Sequence, residues 1–330
     1  MCGLFGMTLP RHYPTHLLDR GAALALLGEL AEDRGRDAAG LATRHTASGT
    51  PDRWTVDKVA GPYSRLSRRP GVNRRAGTAQ TAIGHTRWAT QGSLDIANAS
   101  PAWAGTLLCT HNGDVDVDTI PYTTPTTAGS GTDSAVLFSA LATAHPLATA
   151  RQGRVNTRRI VAILSRMHGR AALAWTDTAH TDRTGAGGRV WLARAGLSPL
   201  AVGVDVDGGL WWASNPAWLR RLSHLFDLPF ASLRIVAEGT LLSATPQAFT
   251  VKLTEHAQFK PTVRVHDQRL ASTAVWRGFG VADQRRDQAR QFHRTATTSP
   301  PRPLPPFDQH PVGQHPFDQH RLVATAATRP

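Results

Sequence analysis

The sequence predicts an α+β fold in which two antiparallel sheets pack against each other and helices cover them. Three observations support this class. Beyond residue 150 the chain carries many short apolar strand patterns, few segments have the spacing of a long helix, and strands do not alternate regularly with helices as in a parallel sheet. With 330 residues, of which 41% are hydrophobic, the chain is long and apolar enough to bury a large core.

The first part of the chain begins with an apolar strand at 2–9. Leucines and alanines at helical spacing predict a helix over 16–33. Residues 34–42 form a turn that enters a strand, and 54–61 form the next strand. The Arg- and Gly-rich stretch 64–78 has no clear period and is predicted to be a loop.

Further along, a buried strand leads into a glycine-containing loop over 81–92, and 105–113 form another strand. The stretch 119–131 is a flexible connection to a helix that Thr132 or Asp133 caps. The remaining predicted elements are helices at 157–168 and 216–226 and strands at 171–177, 189–195, 199–205, 209–214, 233–239 and 240–244.

The signal for ordered structure fades at about residue 254. We therefore assign 2–253 to one domain, 254–295 to a poorly defined extension and 296–330 to a disordered tail rich in proline and histidine. The tail contains PFDQH twice. Unspaced histidines in such a tract are usually only solvated, so we expect no metal site.

The net charge of +13 comes almost entirely from arginine, and no dense basic run accompanies it. We therefore do not expect a nucleic-acid partner. The two cysteines, Cys2 and Cys109, do not form a disulfide framework. Because no window has the length of a membrane span and the N-terminus lacks a signal-peptide pattern, we expect a soluble cytoplasmic protein with no membrane contact.

Cys2 is the leading candidate for chemistry. If Met1 is removed, Cys2 carries a thiol and a free α-amine on one residue. An α-amine has a pKa of about 7.7–8.0 and can take the thiol proton without a histidine. Taken alone, the run MCGLFGM is more typical of an apolar first strand in which Cys2 is a packed side chain.

Four further segments have residue types that amide cleavage needs, and the first of them is HNG at 111–113. Asn112 offers a side-chain amide donor beside the backbone N–H of Gly113, and two such donors can hold the oxyanion of a tetrahedral intermediate. Taken alone, Asn-Gly is more typical of a β-turn. The sequence by itself leaves both interpretations open.

Charged residues elsewhere suggest a pocket for an amino acid. Arg87 can bind a carboxylate through two parallel N–H bonds, and Asp133 can bind an ammonium group. Trp88 can close over a small ligand. In isolation Arg87 is typical of surface charge and Asp133 of an N-cap, whereas Arg34 and Asp37 are typical of a structural ion pair or loop brace.

Five short motifs carry these residues in a fixed order: MCGLFG at 1–6, RGRDAAGLA at 34–42, GHTRWAT at 84–90 with NASP at 98–101, HNG at 111–113 and TDS at 132–134. In this order they resemble the glutaminase domain of the class II glutamine amidotransferases, which are N-terminal-nucleophile hydrolases. The glutaminase domains of glucosamine-6-phosphate synthase and amidophosphoribosyltransferase are the most similar. Weaker likeness extends the resemblance over about residues 2–250.

The resemblance implies a four-layer fold of helix, sheet, sheet and helix. It also implies that Cys2 is the nucleophile after removal of Met1, that its α-amine is the base, and that Asn112 and Gly113 form the oxyanion hole. The other implied roles are binding of the glutamine α-carboxylate by Arg87, binding of its α-ammonium by Asp133, covering of glutamine by Trp88 and Thr90, and support of the nucleophile by Arg34.

The sequence departs from the family pattern at two single positions and in one short stretch. Gln91 stands where the glucosamine-6-phosphate synthase type usually has histidine, and Ala135 stands where glutamate is common. The stretch DVDV at 114–117 places extra negative charge near the site. None of these changes touches the nucleophile or the implied ligand-binding residues, so we expect the chemistry to be intact.

We therefore expect the chain to hydrolyse L-glutamine without a cofactor. No phosphate loop and no repeated βαβ pattern follows the glutaminase stretch, which predicts that the ammonia passes to a separately encoded synthetase. Two alternatives stay open. One is a hydrolase of another γ-glutamyl amide, and the other is a catalytically weak binding module that recruits a partner or nucleic acid.

Overall fold

Two antiparallel sheets lie face to face in the computed structural model, and helices cover both outer surfaces. This arrangement confirms the four-layer α-β-β-α fold that the sequence predicts. The structure describes residues 2–14, 18–45, 53–89, 95–123, 132–145, 154–179 and 188–262.

The strands of the described residues form two sheets. Their bounds are β1 Gly3–Thr8, β2 Ala38–His45, β3 Arg53–Ala60, β4 Thr81–Arg87, β5 Ala102–Ala104, β6 Leu107–Asp116, β7 His168–Asp177, β8 Val190–Gly196, β9 Ala201–Asp205, β10 Leu210–Ala213, β11 Phe230–Ile235, β12 Thr240–Pro246 and β13 Val251–Gln258. The first sheet has the order β11-β9-β10-β1-β4-β2-β3, and the second has the order β13-β12-β8-β7-β6-β5.

Helices form the outer layers. Their bounds in the described residues are α1 Arg20–Ala31, α2 Ser64–Ser67, α3 Pro70–Thr78, α4 Asp133–Ala142, α5 Thr157–Arg166 and α6 Pro216–Phe226. The apolar faces of α1, α2, α3 and α6 pack on the first sheet. Those of α4 and α5 pack on the second sheet, and a separate apolar core fills the space between the sheets.

Strand β1 lies in the middle of the first sheet, between β4 and β10, and every residue in it is buried. Successive side chains of a strand point to opposite faces. Accordingly Leu4 belongs to the core between the sheets, while Phe5 and Met7 pack toward the helices. Cys2 is two residues before Leu4, so the same alternation directs it toward the space between the sheets.

Residues 64–78 are helical, so the predicted loop is wrong there. Helix α3 begins with Pro70 in its first turn, a position that proline favours because its missing N–H has no partner to lose. Val72 and Ala76 lie one turn apart and are both buried against the first sheet. Five arginines among the fifteen residues of this stretch hide that short apolar face in the sequence.

The predicted boundary at residue 253 falls inside a strand and is also wrong. Strand β13 runs from Val251 to Gln258 and pairs with β12 along its whole length. Because β13 is an edge strand with mostly half-exposed or exposed residues, it lacks the apolar run that marks a buried strand. The extension beyond residue 262 and the tail at 296–330 lie outside the described residues and stay a prediction, as does the connection at 124–131.

No helix within the described ranges is long and apolar enough to cross a membrane. In the same ranges, histidine, cysteine, aspartate and glutamate side chains form no group of three or more that could hold a metal ion.

Candidate active site

A small cleft gathers residues that are far apart in the sequence. It opens to solvent, and the space among its lining residues is about 360 Å³ when the open solvent at its mouth is included. Residues that line it include Cys2, Arg87, Trp88, Gly113, Asp133 and Ser134. They come from the start of β1, the end of β4, the middle of β6 and the start of α4. Five of the predicted site residues therefore share one cavity.

The Cys2 thiol contacts the backbone of Trp88. Its Sγ accepts a hydrogen bond from Trp88 N at 3.4 Å and lies 3.7 Å from Trp88 O. Burial raises the pKa of the Cys2 thiol, and the nearby Asp133 acts in the same direction. The hydrogen bond with the Trp88 backbone and the charge of Arg87 act against this rise. Met1 lies outside the described residues.

The predicted support residue Arg34 holds the backbone of the nucleophile. It is buried, and its Nε donates to Cys2 O at 2.9 Å. Asp37 accepts a hydrogen bond from Ala89 N at 2.7 Å, and its own N–H donates to Arg87 O at 3.0 Å. At Gly35 a Cβ would overlap the backbone of Arg87 and Trp88. The segment 34–37 thus braces both Cys2 and the end of β4.

Asn112 and Gly113 lie within β6, so the β-turn interpretation is wrong. They pair with Ala172 and Ala171 of β7. Gly113 has φ +152°, and a Cβ there would overlap the carbonyl oxygen of Arg170, so the position needs glycine.

The Asn112 side chain is completely buried. Its Nδ2 donates to Ser214 Oγ at 3.2 Å in the recorded orientation, while Oδ1 has no hydrogen-bond partner among the described residues. One polar atom of this amide is therefore buried without a partner among the described residues, and Asn112 itself does not line the cleft.

Asp133 is the first residue of α4, and Thr132 is the cap. The Thr132 hydroxyl accepts from Ala135 N at 3.3 Å. The Asp133 carboxylate instead accepts from Val115 N at 2.9 Å and from Ser134 N at 2.8 Å. It is buried yet lines the cleft, so the N-cap interpretation of Asp133 is wrong. A carboxylate has further acceptor sites, which leaves capacity for a ligand.

His85 also lines the cleft, and sequence reasoning did not single it out. Its Nε2 donates to His111 O at 2.9 Å. Burial lowers the pKa of His85 to about 3, so its ring is neutral and Nδ1 is an acceptor. That Nδ1 is buried and without a partner among the described residues. His85 is two residues before Arg87 on β4, so period-two alternation could have found it.

The structure describes some of the residues that depart from the family pattern. Asp114, which begins the DVDV stretch, forms an ion pair with Arg170, so part of the extra negative charge is neutralised. Ala135 contributes its backbone N–H to the cap of α4. Thr90 and Gln91 lie outside the described residues.

Comparisons with known proteins give two kinds of relative. No family model matches the chain. The glutamine–fructose-6-phosphate aminotransferase (isomerizing) of Treponema pallidum is 31% identical over 235 residues, which cover 68% of this chain and 32% of that protein. The enzyme of the same name from Gluconobacter oxydans is 39% identical over 116 residues, or 35% of this chain and 17% of that protein. The matches span about a third or less of these relatives.

A solved structure supports the fold. The glutamine phosphoribosylpyrophosphate amidotransferase of B. subtilis, complexed with ADP and GMP, superposes with a TM-score of 0.50 over 78% of this chain and 50% of that chain. At 19% sequence identity this likeness concerns the fold alone.

Two packed antiparallel sheets between helical layers, with Cys2 at the start of a central strand, define an N-terminal-nucleophile hydrolase fold. The sequence relatives narrow the class. The chain belongs to the class II glutamine amidotransferases.

Proposed function

We propose that this domain hydrolyses L-glutamine to glutamate and ammonia through a thioester on Cys2. The observation that carries the proposal is the shared cleft, which joins the Cys2 thiol, the Gly113 backbone and two side chains of opposite charge, Arg87 and Asp133. An α-amino acid presents a carboxylate and an ammonium group, and this pair of charges complements both. The side-chain amide of the bound glutamine then extends toward Cys2.

The proposed reaction needs the free α-amine of Cys2. Removal of Met1 exposes this amine, which takes the thiol proton as Sγ attacks the side-chain carbonyl carbon of glutamine. The raised pKa of the thiol makes such a base necessary at neutral pH. Arg34 holds Cys2 O and so fixes the backbone that carries both groups.

The oxyanion that forms is proposed to bind between the Asn112 amide and the Gly113 N–H. Collapse of the tetrahedral intermediate breaks the C–N bond, and the proton held by the α-amine leaves with ammonia. Water, deprotonated by the same amine, then attacks the thioester and releases glutamate. Trp88 and Thr90 are proposed to cover the bound glutamine during these steps.

Replacement of the nucleophile tests the proposal. We expect Cys2→Ala to abolish ammonia release from glutamine, and intact-mass measurement of the active protein to show that Met1 is absent. Cys109→Ala is the matched control, because Cys109 is buried in the core between the second sheet and its helices and should not affect the reaction. Ammonia release that persists in Cys2→Ala would overturn the assignment. A preference for γ-glutamyl anilides over glutamine would favour the alternative hydrolase.

The acceptor of the ammonia is proposed to be a separately encoded synthetase. Every strand and helix that the structure describes belongs to the sandwich of two sheets and its covering helices. Co-purification from native cells, followed by supply of glutamine labelled with ¹⁵N in its amide, tests this. Label in an aminated product of a co-purifying enzyme is the expected result, and label found only as free ammonium would contradict it.

A further inference from the structure

We propose that Ser214 is a positioning residue that orients the Asn112 amide so that its N–H₂ group faces the reacting carbonyl. The inference rests on the proposed function, in which Asn112 binds the oxyanion. It adds a residue that the five motifs do not contain.

Ser214 and Asn112 belong to facing sheets. Asn112 lies on β6 of the second sheet, and Ser214 directly follows β10 of the first. Both are completely buried. Their polar atoms meet at 3.2 Å between Asn112 Nδ2 and Ser214 Oγ. This hydrogen bond links the sheets beside the cleft.

Ser214 is itself fixed by the strand that carries the nucleophile. Its Oγ accepts from Leu4 N at 2.9 Å, and its backbone N–H donates to Leu4 O at 2.8 Å. Leu4 is two residues from Cys2. The Ser214 hydroxyl therefore lies between the backbone of β1 and the amide of Asn112. It can set the position of the Asn112 amide relative to the strand that follows Cys2.

Counting donors and acceptors selects one orientation of the amide. A serine hydroxyl has one hydrogen to donate and two acceptor sites. In the recorded orientation Oγ accepts from both Leu4 N and Asn112 Nδ2, and Asn112 Oδ1 is buried without a partner among the described residues. If the amide is rotated by half a turn, the hydroxyl hydrogen donates to Oδ1 and Nδ2 takes the open position.

Both orientations of the Asn112 amide occupy the same volume. They differ only in whether Oδ1 or Nδ2 is left without a hydrogen-bond partner. An open oxygen would repel an oxyanion, whereas an open N–H₂ group donates to it. The Ser214 hydroxyl favours the second case because it can donate to the amide oxygen while it accepts from Leu4. Without that hydroxyl nothing in this contact set distinguishes the two orientations.

The experiment is a double-mutant cycle on the full chain, with steady-state ammonia release from glutamine as the measurement. We expect Ser214→Ala to lower kcat about tenfold and to leave KM within about twofold, as for loss of one hydrogen bond in the transition state. Asn112→Ala should lower kcat by about 10²–10³-fold. The double variant should match Asn112→Ala, because Ser214 acts through Asn112.

Two variants of equal size and one control substitution separate loss of the Ser214 hydroxyl from changes in packing. Ser214→Thr and Ser214→Val have the same shape, but only threonine keeps the hydroxyl, so we expect threonine to have a kcat about tenfold higher than valine. Ser243→Ala removes another buried hydroxyl, which bonds to His256 away from the cleft, and should leave kcat unchanged.

Three results would overturn the inference: an unchanged kcat in Ser214→Ala, equal kcat in the threonine and valine variants, or a double variant well below Asn112→Ala. Failure of the wild-type chain to release any ammonia is a different result. It would overturn the proposed function and this inference together.

Discussion

Gly113 illustrates how one residue sets the backbone geometry of the proposed oxyanion site. Its φ of +152° belongs to the region that favours glycine, and a side chain there would overlap the Arg170 carbonyl. We expect Gly113→Ala to lower the free energy of unfolding by about 1–3 kcal/mol and to lower kcat by at least about tenfold, because β6 must shift to relieve the overlap. Urea unfolding and ammonia release measure the two effects.

Gly105 provides the matched control. It also has a positive φ, +61°, but a Cβ there would meet nothing within 4 Å. Gly105→Ala therefore carries the backbone cost without the overlap, and we expect wild-type kcat. Equal losses of activity in the two variants would show that overlap with Arg170 is not what makes Gly113 necessary.

The Cys2 thiol should titrate at unusually high pH. Burial disfavours the thiolate and raises the pKa in the folded state above that in the unfolded chain. The thiolate fraction at a given pH is then smaller in the folded protein. In a Cys109→Ala background, the rate of alkylation by iodoacetamide should rise with pH at a higher midpoint in the folded protein than in urea. A folded midpoint at or below the unfolded one would contradict this.

At the scale of elements, the segment 34–37 supports the site through the backbone of its neighbours. The Asp37 carboxylate accepts from Ala89 N, directly after Trp88 and Arg87. We expect Asp37→Ala to raise KM for glutamine about fivefold, because Arg87, the proposed carboxylate ligand, then lies on a looser segment. Steady-state kinetics measure the change.

Asp19 is the control for that substitution. It accepts from Ala22 N as the N-cap of α1, away from the cleft. Asp19→Ala should lower the free energy of unfolding by about 1 kcal/mol and leave KM unchanged. If both variants raise KM equally, general destabilisation and not the brace explains the effect.

Helices and strands whose apolar residues recur with a clear period could be predicted from the sequence, and those without such a period could not. Helix α6 has the predicted bounds, and its apolar residues recur on one face. Helix α3 buries only Val72 and Ala76, and β13 is a half-exposed edge strand, so neither has enough buried apolar residues to show its period.

The same limit applies to the site. Cys2, Arg87, Gly113 and Asp133 share the cleft, and the sequence could single them out because ordered motifs carry them. Ser214 could not, because its role depends on contact with Asn112, 102 residues away in the chain. Pairing between the two sheets creates that contact, and no local pattern specifies it.

At the scale of the whole molecule, strand β13 shows that the folded unit extends past residue 253. It covers one edge of β12, and removal of its last residues would leave unpaired those N–H and C=O groups of Thr240–Ser243 that face β13 rather than β8. Phe259 N also donates to Gly239 O, and the Phe259 side chain packs against the core of the second sheet. The fold therefore needs the chain beyond residue 253.

Two truncations test this. We expect a chain that ends at residue 253 to melt more than about 5 °C below the full chain and to aggregate, because the β12 edge is exposed. A chain that ends at residue 295 should keep the melting temperature, kcat and KM, since every described residue of the cleft and of both sheets lies before residue 263. Circular dichroism melting and ammonia release provide the measurements. If the shorter chain were as stable as the longer one, β13 would be dispensable, and the boundary predicted from the sequence would stand after all.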